Sequence, residues 1–328
     1  MRAQIHRSGR IGLPKQTNSG NLKGLSIVSE ARVSTIIPLY NHEKYVAEAI
    51  RSVLEQGEVL KELIILDDGS QDRSADVAEE FSKIDSRVTV IRQQNRGAHA
   101  TINRGLSLAT GEFITILNSD DAFCEGRFAA LTRALDLDGG SDVASSSISF
   151  MDGAGKEILN PWFDDALNGF RRRRDVASSL IEANYLMTTS NFFLRRSVFT
   201  NLGGFAPLRY AHDLEFALRC AAMRLRFCFI DRPLLRYRFH SHNTITENHQ
   251  KVRAEWALCI AFYIFQRYHG DIGFRDARMS DIRDTLDRHG LRKAAEYAVV
   301  QMKRYETRAL DDELIGRSDF MSQVAALV

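Results

Sequence analysis

The chain has 328 residues, of which 44% are hydrophobic and 26% are charged, and its formal net charge is +2. This composition is typical of globular proteins and excludes the disordered and collagen-like classes, while the length allows one large core or two modest ones. The small net charge gives no general basis for nucleic-acid binding, which requires clustered excess positive charge. We therefore expect a globular protein without a nucleic-acid partner.

The beginning of the chain and its cysteines bear on its location. Residues 1–31 are polar and lack the apolar centre of a signal peptide, so we expect a flexible N-terminal arm. No later segment reaches the ~18 consecutive apolar residues of a membrane span. The four cysteines form no CxxC pair, which argues against a structural zinc site and a disulfide framework. These features indicate a cytoplasmic protein.

From Val33 onward, short apolar runs alternate with amphipathic segments. The run VSTIIP is typical of a buried strand, and the next segment places five apolar residues on one helical face: Val46, Ala49, Ile50, Val53 and Leu54. The same alternation recurs with the runs ELIILD, VTVIR and FITIL. It predicts right-handed crossovers and an α/β fold of the Rossmann-like type, with a mostly parallel sheet flanked by helices.

Polar residues follow three of these strands, at the sheet edge where ligands of such folds bind. Asn41 follows the first strand and is expected to cap the next helix, Asp67 and Asp68 follow the second, and Asn118–Asp121 follow the fourth. Acids at this edge repel one another unless a cation or a donor-rich ligand lies between them. Helix capping is the alternative, which we expect in part for Asp68 or Ser70. For Asp120 and Asp121 the pattern favours a metal-bound ligand.

The two familiar phosphate-binding loops are absent from the sequence. No GxGxxG follows the first strand, and no GxxxxGK[ST] occurs anywhere. A divalent cation, Mn²⁺ or Mg²⁺, held by Asp120 would instead bind phosphate oxygens. A second acidic triplet, Asp136–Asp138, ends a probable helix, and we give it no role.

Six segments, in order, resemble family 2 of the glycosyltransferases, whose catalytic domain has the GT-A fold. They are IIPLYNHEKYVAEAIRSVLEQ, LIILDDGSQDRS, NRGAHATINRGLSLATGEFITILNSDD, SNFFLRRSVFTNLGGF, YAHDLEFALR and LLRYRFHSHN. The resemblance implies a GT-A domain at 32–245, followed by a helical extension at 246–328. It also implies transfer of a sugar from a UDP-, GDP- or dTDP-sugar to a glycan or lipid-linked acceptor. Cell-surface polysaccharide or lipopolysaccharide synthesis is the expected setting.

The resemblance further implies roles for individual residues. Those expected to contact the nucleotide sugar are Pro38, Tyr40, Asn41, Asp67, Asp68, Asn103, Asn118 and Ser119. Asp120 closes the family's DxD motif and is expected to bind the metal. His240 is expected to complete the metal shell, and His242 is the competing candidate for that role. His240 could alternatively contact the diphosphate. Asp213 stands at the position of the catalytic base.

Two positions depart from the family pattern. Asn118 replaces the first aspartate of the DxD motif and carries no charge, although it can bond a ribose hydroxyl, and Asp121 is expected to compensate. His212 replaces the glutamate that precedes the base, and it could tune the pKa of Asp213 or cap the helix. A metal that stabilises the leaving diphosphate removes the need for a general acid, so a single base predicts inversion at the anomeric carbon.

Other features leave alternatives open. Arg171–Arg174 could form a solvated face or contact phosphate-bearing lipids at the inner face of the membrane. Arg236 and Arg238 alternate with aromatic residues and could contact phosphate or only line a half-buried strand. Helices near residues 252–263 and 293–305 could pack on the main domain or form a homodimer. A nucleotidyltransferase and a non-catalytic nucleotide-sugar or glycan-binding module are the competing functions.

Overall fold

A computed structural model of the chain describes residues 32–137, 140–241, 243, 247–274, 277–307, 309–317 and 319–328. The expected arm at 1–31, together with Asp138 and His242, lies outside this part of the chain. The described strands form one nine-stranded sheet. Its order is β3 (Val88–Arg92), β2 (Leu60–Asp67), β1 (Val33–Leu39), β4 (Phe113–Ile116), β8 (Phe193–Arg195), β6 (Val143–Asp152), β9 (Phe227–Phe239) and β5 (Ala122–Phe123), with β7 (Glu157–Ile158) paired to β6.

The first half of the sheet is parallel throughout. Its strands are β1 (Val33–Leu39), β2 (Leu60–Asp67), β3 (Val88–Arg92) and β4 (Phe113–Ile116), all running in the same direction. The crossover helices between them are α1 (Val46–Leu54), α2 (Ser74–Ile84) and α3 (Ala98–Leu108). The predicted alternation of strands and helices is confirmed.

The second half contains five strands, of which the sequence patterns indicated only the last. They are β5 (Ala122–Phe123), β6 (Val143–Asp152), β7 (Glu157–Ile158), β8 (Phe193–Arg195) and β9 (Phe227–Phe239). Strand β8 is antiparallel to both β4 and β6, whereas the long pairing of β6 with β9 is parallel. The extended pairings are thus parallel, so the fold is the mostly parallel α/β class that was predicted.

Helices cover the sheet and continue beyond it. The helices between the later strands are α4 (Arg127–Leu137), α5 (Pro161–Arg173), α6 (Val176–Glu182), α7 (Arg196–Leu202) and α8 (His212–Ala222). They are followed by α9 (His249–Tyr268), α10 (Ala277–Arg288), α11 (Arg292–Arg304), α12 (Asp312–Ile315) and α13 (Phe320–Ala326). Helix α9 packs against α8 and α11, and one apolar core continues from the sheet into these helices. No helix in the described ranges has the length and hydrophobicity needed to cross a lipid bilayer.

Helix α3 packs closely on strands β1 and β2. A Cβ atom at Gly105 of α3 would lie 2.5 Å from Ile36 of β1 and 3.0 Å from Leu66 of β2. Glycine therefore allows the helix to approach the two strands more closely than any other residue would. This contact sets the position of the preceding loop against the carboxyl ends of β1 and β2.

Candidate active site

The turn after β1 is tied to the loop after β2. The Asn41 N–H donates to Ser70 Oγ at 3.0 Å, and Asn41 Oδ1 accepts from Gln71 N–H at 2.8 Å. Asn41 has a φ of 53°, a left-handed conformation that asparagine tolerates better than most residues. The expectation that Asn41 caps α1 is wrong, because that helix begins at Val46 and its N-cap is Tyr45. Pro38 lies within β1, and Tyr40 is 46% exposed at its end.

The two acids that end β2 have different surroundings. Asp68 accepts hydrogen bonds from Arg96 N–H at 2.8 Å, Gly97 N–H at 2.9 Å and Gln93 Nε2 at 2.7 Å. It therefore holds the loop that leads into α3 and does not cap α2. Asp67 is also buried, but its Oδ1 has no hydrogen-bond partner within the described residues. A buried oxygen of this kind is suited to accept from a ligand.

The segment after β4 is bound to the segment that precedes β8. Asn118 Nδ2 donates to Thr188 Oγ1 at 3.0 Å, and Asn118 Oδ1 accepts from Thr189 Oγ1 at 2.9 Å. The Asn118 N–H donates to Ser190 Oγ at 2.9 Å. The amide of Asn118 is thus held by protein hydroxyls, and its contact with a ribose stays a prediction.

A cluster of two histidines and one carboxylate lies where β1, β4 and β9 end. His240 Nε2 lies 2.9 Å from Asp120 Oδ2, and Ser119 Oγ lies 2.8 Å from His42 Nδ1. Candidate ligand atoms of His42, Asp120 and His240 lie within 4.8 Å of one another. Burial would raise the pKa of Asp120, but the His240 hydrogen bond and the charges of both histidines lower it below its ordinary value. The residues present can therefore hold a divalent cation.

Asp121 points away from this cluster, although it was expected to assist at the metal. Its Oδ2 accepts from Ser190 Oγ at 2.7 Å, and its Oδ1 accepts from Arg238 N–H at 3.0 Å. Burial and the neighbouring charge of Asp120 raise its pKa well above the ordinary value. Asp121 therefore joins β9 to the segment before β8. The Arg238 side chain is only 2% exposed, and its Nε donates to Asp120 O at 2.7 Å, so it supports the backbone of the site.

His42 is the residue of the cluster that sequence reasoning missed. Its ring lies 5.5 Å from that of His240 and 5.9 Å from that of Tyr45, and Tyr45 stacks on His240 at 5.1 Å. His42 directly follows Asn41, so its place at the carboxyl end of a parallel strand was the signal that could have identified it.

Asp213 lies in the first turn of α8 and is 8% exposed. Burial raises its pKa to about 6, although Asn184 Nδ2 donates to Asp213 Oδ2 at 3.1 Å and opposes the rise. A carboxylate with a pKa near neutrality is well matched to accept a proton from an alcohol. The geometry is therefore compatible with the predicted catalytic base.

His212 precedes this carboxylate but faces apolar surroundings. Its ring lies 5.9 Å from that of Phe205 in an edge-to-face arrangement, and no side chain caps α8. Burial lowers the pKa of His212 to about 4, so the imidazole is neutral near pH 7. The helix-capping alternative for His212 is wrong.

One segment contacts both Asp213 and the loop after β4 that carries Asp120. Asn184 bonds Asp213, while Thr188 and Thr189 of the same segment bond Asn118. Burial, and then the charges of Asp121, Asp120 and Asp213, raise the pKa of Tyr237 of β9 well above its ordinary value. The hydrogen bonds of the 184–189 segment therefore link Asp213 to the loop after β4.

Other residues singled out in the sequence have separate contacts. Asn103 binds the backbone of Phe205 through both amide atoms, at 2.7 and 2.8 Å, so its predicted contact with the donor would need a rearrangement. Arg171 pairs with Asp231 and Arg173 with Glu182, and a membrane contact of this cluster stays a prediction. Asp136 pairs with Arg32 at the end of α4, which agrees with the helix-end interpretation.

Comparisons with known proteins identify the family of the chain. The family model described as Glycosyl transferase family 2 matches residues 34–211, more than half of the chain. EpsH of Bacillus subtilis, a glycosyltransferase by name, is 30% identical over 246 residues, which cover 70% of this chain and 66% of EpsH. TuaG of the same organism, whose name assigns it to teichuronic acid biosynthesis, is 39% identical over 90 residues, covering 27% of this chain and 36% of TuaG.

A likeness to a solved structure concerns the fold. The structure of S. aureus TarS 1–349 in complex with UDP-GlcNAc has a TM-score of 0.56 and 17% identity, covering 84% of this chain and 92% of that one. Fold and family comparisons together define a glycosyltransferase with the GT-A architecture. The chain belongs to glycosyl transferase family 2.

Proposed function

We propose that the chain is an inverting glycosyltransferase that moves a sugar from a nucleotide-sugar donor to a hydroxyl acceptor. Residues 32–245 form its catalytic domain and residues 246–328 a helical extension. The observation that supports the proposal is that one segment binds both Asp213, through Asn184, and the loop that carries Asp120, through Thr188 and Thr189 at Asn118. Transfer requires both a stabilised leaving group and a proton acceptor, and Asp120 beside His240 and Asp213 would provide them.

The donor would bind at the ends of β1 and β2. Tyr40 and Asn41 lie there beside Asp67, whose buried Oδ1 lacks a partner among the described residues and can accept from a nucleobase N–H. Solved structures of TarS, which shares the fold, contain UDP-GlcNAc or UDP, and this supports a nucleotide-sugar donor. Asn118 and Ser119 would lie near the ribose and the diphosphate.

Asp120 and His240 would hold a divalent cation between the protein and the donor. When bound, such a cation neutralises the charge that develops on the departing diphosphate. Arg238 fixes the Asp120 carbonyl, so the carboxylate is presented from a rigid backbone. Mn²⁺ and Mg²⁺ are the candidate ions.

Asp213 would take the proton of the acceptor hydroxyl as that oxygen attacks the anomeric carbon. Attack opposite the nucleotide inverts the configuration, and one base is sufficient for this route. The acceptor is proposed to be a glycan or a lipid-linked glycan of the cell surface. The name of TuaG, which refers to teichuronic acid biosynthesis, supports this setting.

The direct test is release of nucleoside diphosphate from a panel of UDP-, GDP- and dTDP-sugars, with and without Mn²⁺. We expect release from one donor class that requires metal and is lost in Asp213→Asn and in Asp120→Asn. Asp165→Asn, a change at an exposed position of α5, is the matched control and should retain activity. Proton NMR of the anomeric centre of the product would establish inversion. Tight donor binding without release would instead identify a non-catalytic binding module.

A further inference from the structure

We propose that His42 is a third protein ligand of the cation, so that two imidazoles and one carboxylate select a transition metal such as Mn²⁺ over Mg²⁺. This inference rests on the proposed function, because it concerns the same cation as Asp120 and His240. It goes beyond that function by adding His42, from the turn after β1, as a ligand and by predicting tighter binding of Mn²⁺ than of Mg²⁺.

The position of His42 carries the first step. One ligand atom from each of His42, Asp120 and His240 lies within 4.8 Å of the other two, which is the span of donors around a single ion. Ser119 Oγ lies 2.8 Å from His42 Nδ1, and Nε2 is the ligand atom in the proposed site. Metal-binding histidines commonly use the second ring nitrogen for a hydrogen bond that orients the ring. Ser119 would therefore position His42, in addition to any contact with the donor.

The turn that carries His42 is held rigidly. The His42 N–H donates to Ser74 Oγ at 2.8 Å, and the His42 carbonyl accepts from Tyr45 N–H and Val46 N–H, both at 2.9 Å. The His42 ring packs against the rings of Tyr45 and His240, and these contacts restrict its rotation. A ligand whose backbone and ring are both fixed loses little entropy on binding a metal.

The donor set determines the preferred ion. Mg²⁺ prefers oxygen ligands and retains several waters. First-row transition metals bind imidazole more readily than Mg²⁺ does, and the affinity of a given site for them rises from Mn²⁺ through Fe²⁺ to Co²⁺. Asn118 supplies no carboxylate at the first position of the acidic motif, and the neutral imidazole of His42 would supply a ligand atom in its place, although not the negative charge. Three protein ligands on an octahedral ion leave positions for diphosphate oxygens and water.

The experiment measures metal binding by the full chain without nucleotide. Free Mn²⁺ is followed by its electron paramagnetic resonance signal, and spin-echo modulation detects nitrogen atoms bound directly to Mn²⁺. His42→Ala should weaken Mn²⁺ binding by about tenfold or more and remove the modulation of one nitrogen, while Mg²⁺ binding, measured by competition, changes by less than about threefold. In His42→Gln an amide oxygen replaces the nitrogen, so the preference for Mn²⁺ over Mg²⁺ should narrow.

Matched variants separate the possible outcomes. His249→Ala, at an exposed histidine of α9, should leave Mn²⁺ affinity unchanged. Circular dichroism and metal-free thermal unfolding would confirm that both His42 variants are folded. If Asp120→Asn abolishes Mn²⁺ binding while folded His42→Ala binds it like the native chain, the role of His42 is overturned and the proposed function stands. If Asp120→Asn also binds Mn²⁺ normally, the metal site of the proposed function itself fails.

Discussion

The two halves of the sheet contribute to the site in different ways. In the parallel half, polar residues at the strand ends are joined mainly to neighbouring loops, as Asn41 is to Gln71 and Asp68 to Arg96 and Gly97. In the other half, β9 and the segment before β8 bring in residues from distant parts of the chain, and these contact Asn118, Asp120 and Asp121. In the proposed function, the first half would shape the donor-binding edge, whereas the second would complete the groups proposed to act in catalysis.

This difference predicts which substitutions affect chemistry and which affect binding or stability. Residues supplied by or held by the second half should govern turnover. Those of the parallel half should govern donor affinity and the free energy of unfolding. Each prediction below tests that division.

The largest effect is expected for Asp213→Asn. Removal of the base should lower kcat by roughly 10²–10⁴-fold, the usual contribution of general base catalysis. The folded-state pKa of Asp213 is about 6, above the ordinary value, so ionisation of this buried carboxyl lowers the free energy of unfolding as pH rises through about 6. An asparagine stays neutral at every pH and does not lower it. The thermal unfolding temperature at alkaline pH should therefore stay the same or rise while activity is lost, as calorimetry and a transfer assay would show.

A fall in both activity and unfolding temperature would point to a structural role for Asp213. Asp165→Asn, in which the exposed α5 carboxylate is neutralised, provides the reference for both measurements. It should change neither of them.

The second effect concerns the pH dependence of kcat/KM. Protonated Asp213 cannot accept a proton, so the rate should fall about tenfold per pH unit below a pKa of about 6. The Asn184 hydrogen bond lowers that pKa, so Asn184→Ala should move the acidic limb to higher pH. Asn184→Asp keeps an acceptor for Met187 N–H but adds a negative charge, and should move the limb furthest. If the acidic limb of the pH profile lay at the same pH in the native chain, Asn184→Ala and Asn184→Asp, a group other than Asp213 would be responsible for it.

The parallel half was readable from the sequence for a simple reason. Each strand there is a continuous apolar run, and each crossover helix has one apolar face, so local periodicity is sufficient. Strand β6 lacks this signal, because Ser145 and Ser146 occupy buried positions within it. Arg127 and Asn191 satisfy the hydroxyl and backbone of Ser146, and a sequence shows no such distant partners. Strand β8, with only three residues, gives almost no periodic signal.

In the candidate site, too, contacts between residues far apart in the chain could not be predicted from local sequence patterns. The contact of Asp120 with His240 could be expected from the family resemblance, although it joins residues far apart in the chain. His42 was overlooked because its chemistry depends on side chains that only the folded chain brings near. Asp67 and Asp68 look equivalent in sequence, yet Asp68 is bound by the loop before α3, whereas Asp67 Oδ1 has no hydrogen-bond partner in the part of the chain that the structure describes. Hydrogen-bond partners, rather than residue type, distinguish such neighbours.

A third prediction follows for Asp67. Asp67→Asn replaces one acceptor oxygen by a donor, so it should weaken nucleoside diphosphate binding by roughly tenfold, equivalent to the loss of one good hydrogen bond. Because the change lies away from the base, kcat at saturating donor should change little. Isothermal titration with UDP, GDP and dTDP would measure the first effect, and the transfer assay the second. A loss confined to kcat would remove Asp67 from the donor site.

The smallest effect on catalysis is expected for Asp68→Asn. Comparison of this variant with Asp67→Asn distinguishes a loss of donor affinity from a loss of folding stability within the parallel half. Asp68→Asn places an amide against one of the backbone N–H groups of Arg96 and Gly97, so one partly buried donor loses its acceptor. A fully buried unsatisfied group costs roughly 1–3 kcal/mol, so this loss should lie near the lower end of that range, and urea unfolding should detect it. Donor affinity should fall less than in Asp67→Asn, since Asp68 acts through the loop before α3. If the two variants showed the reverse pattern, Asp68 rather than Asp67 would contact the nucleotide.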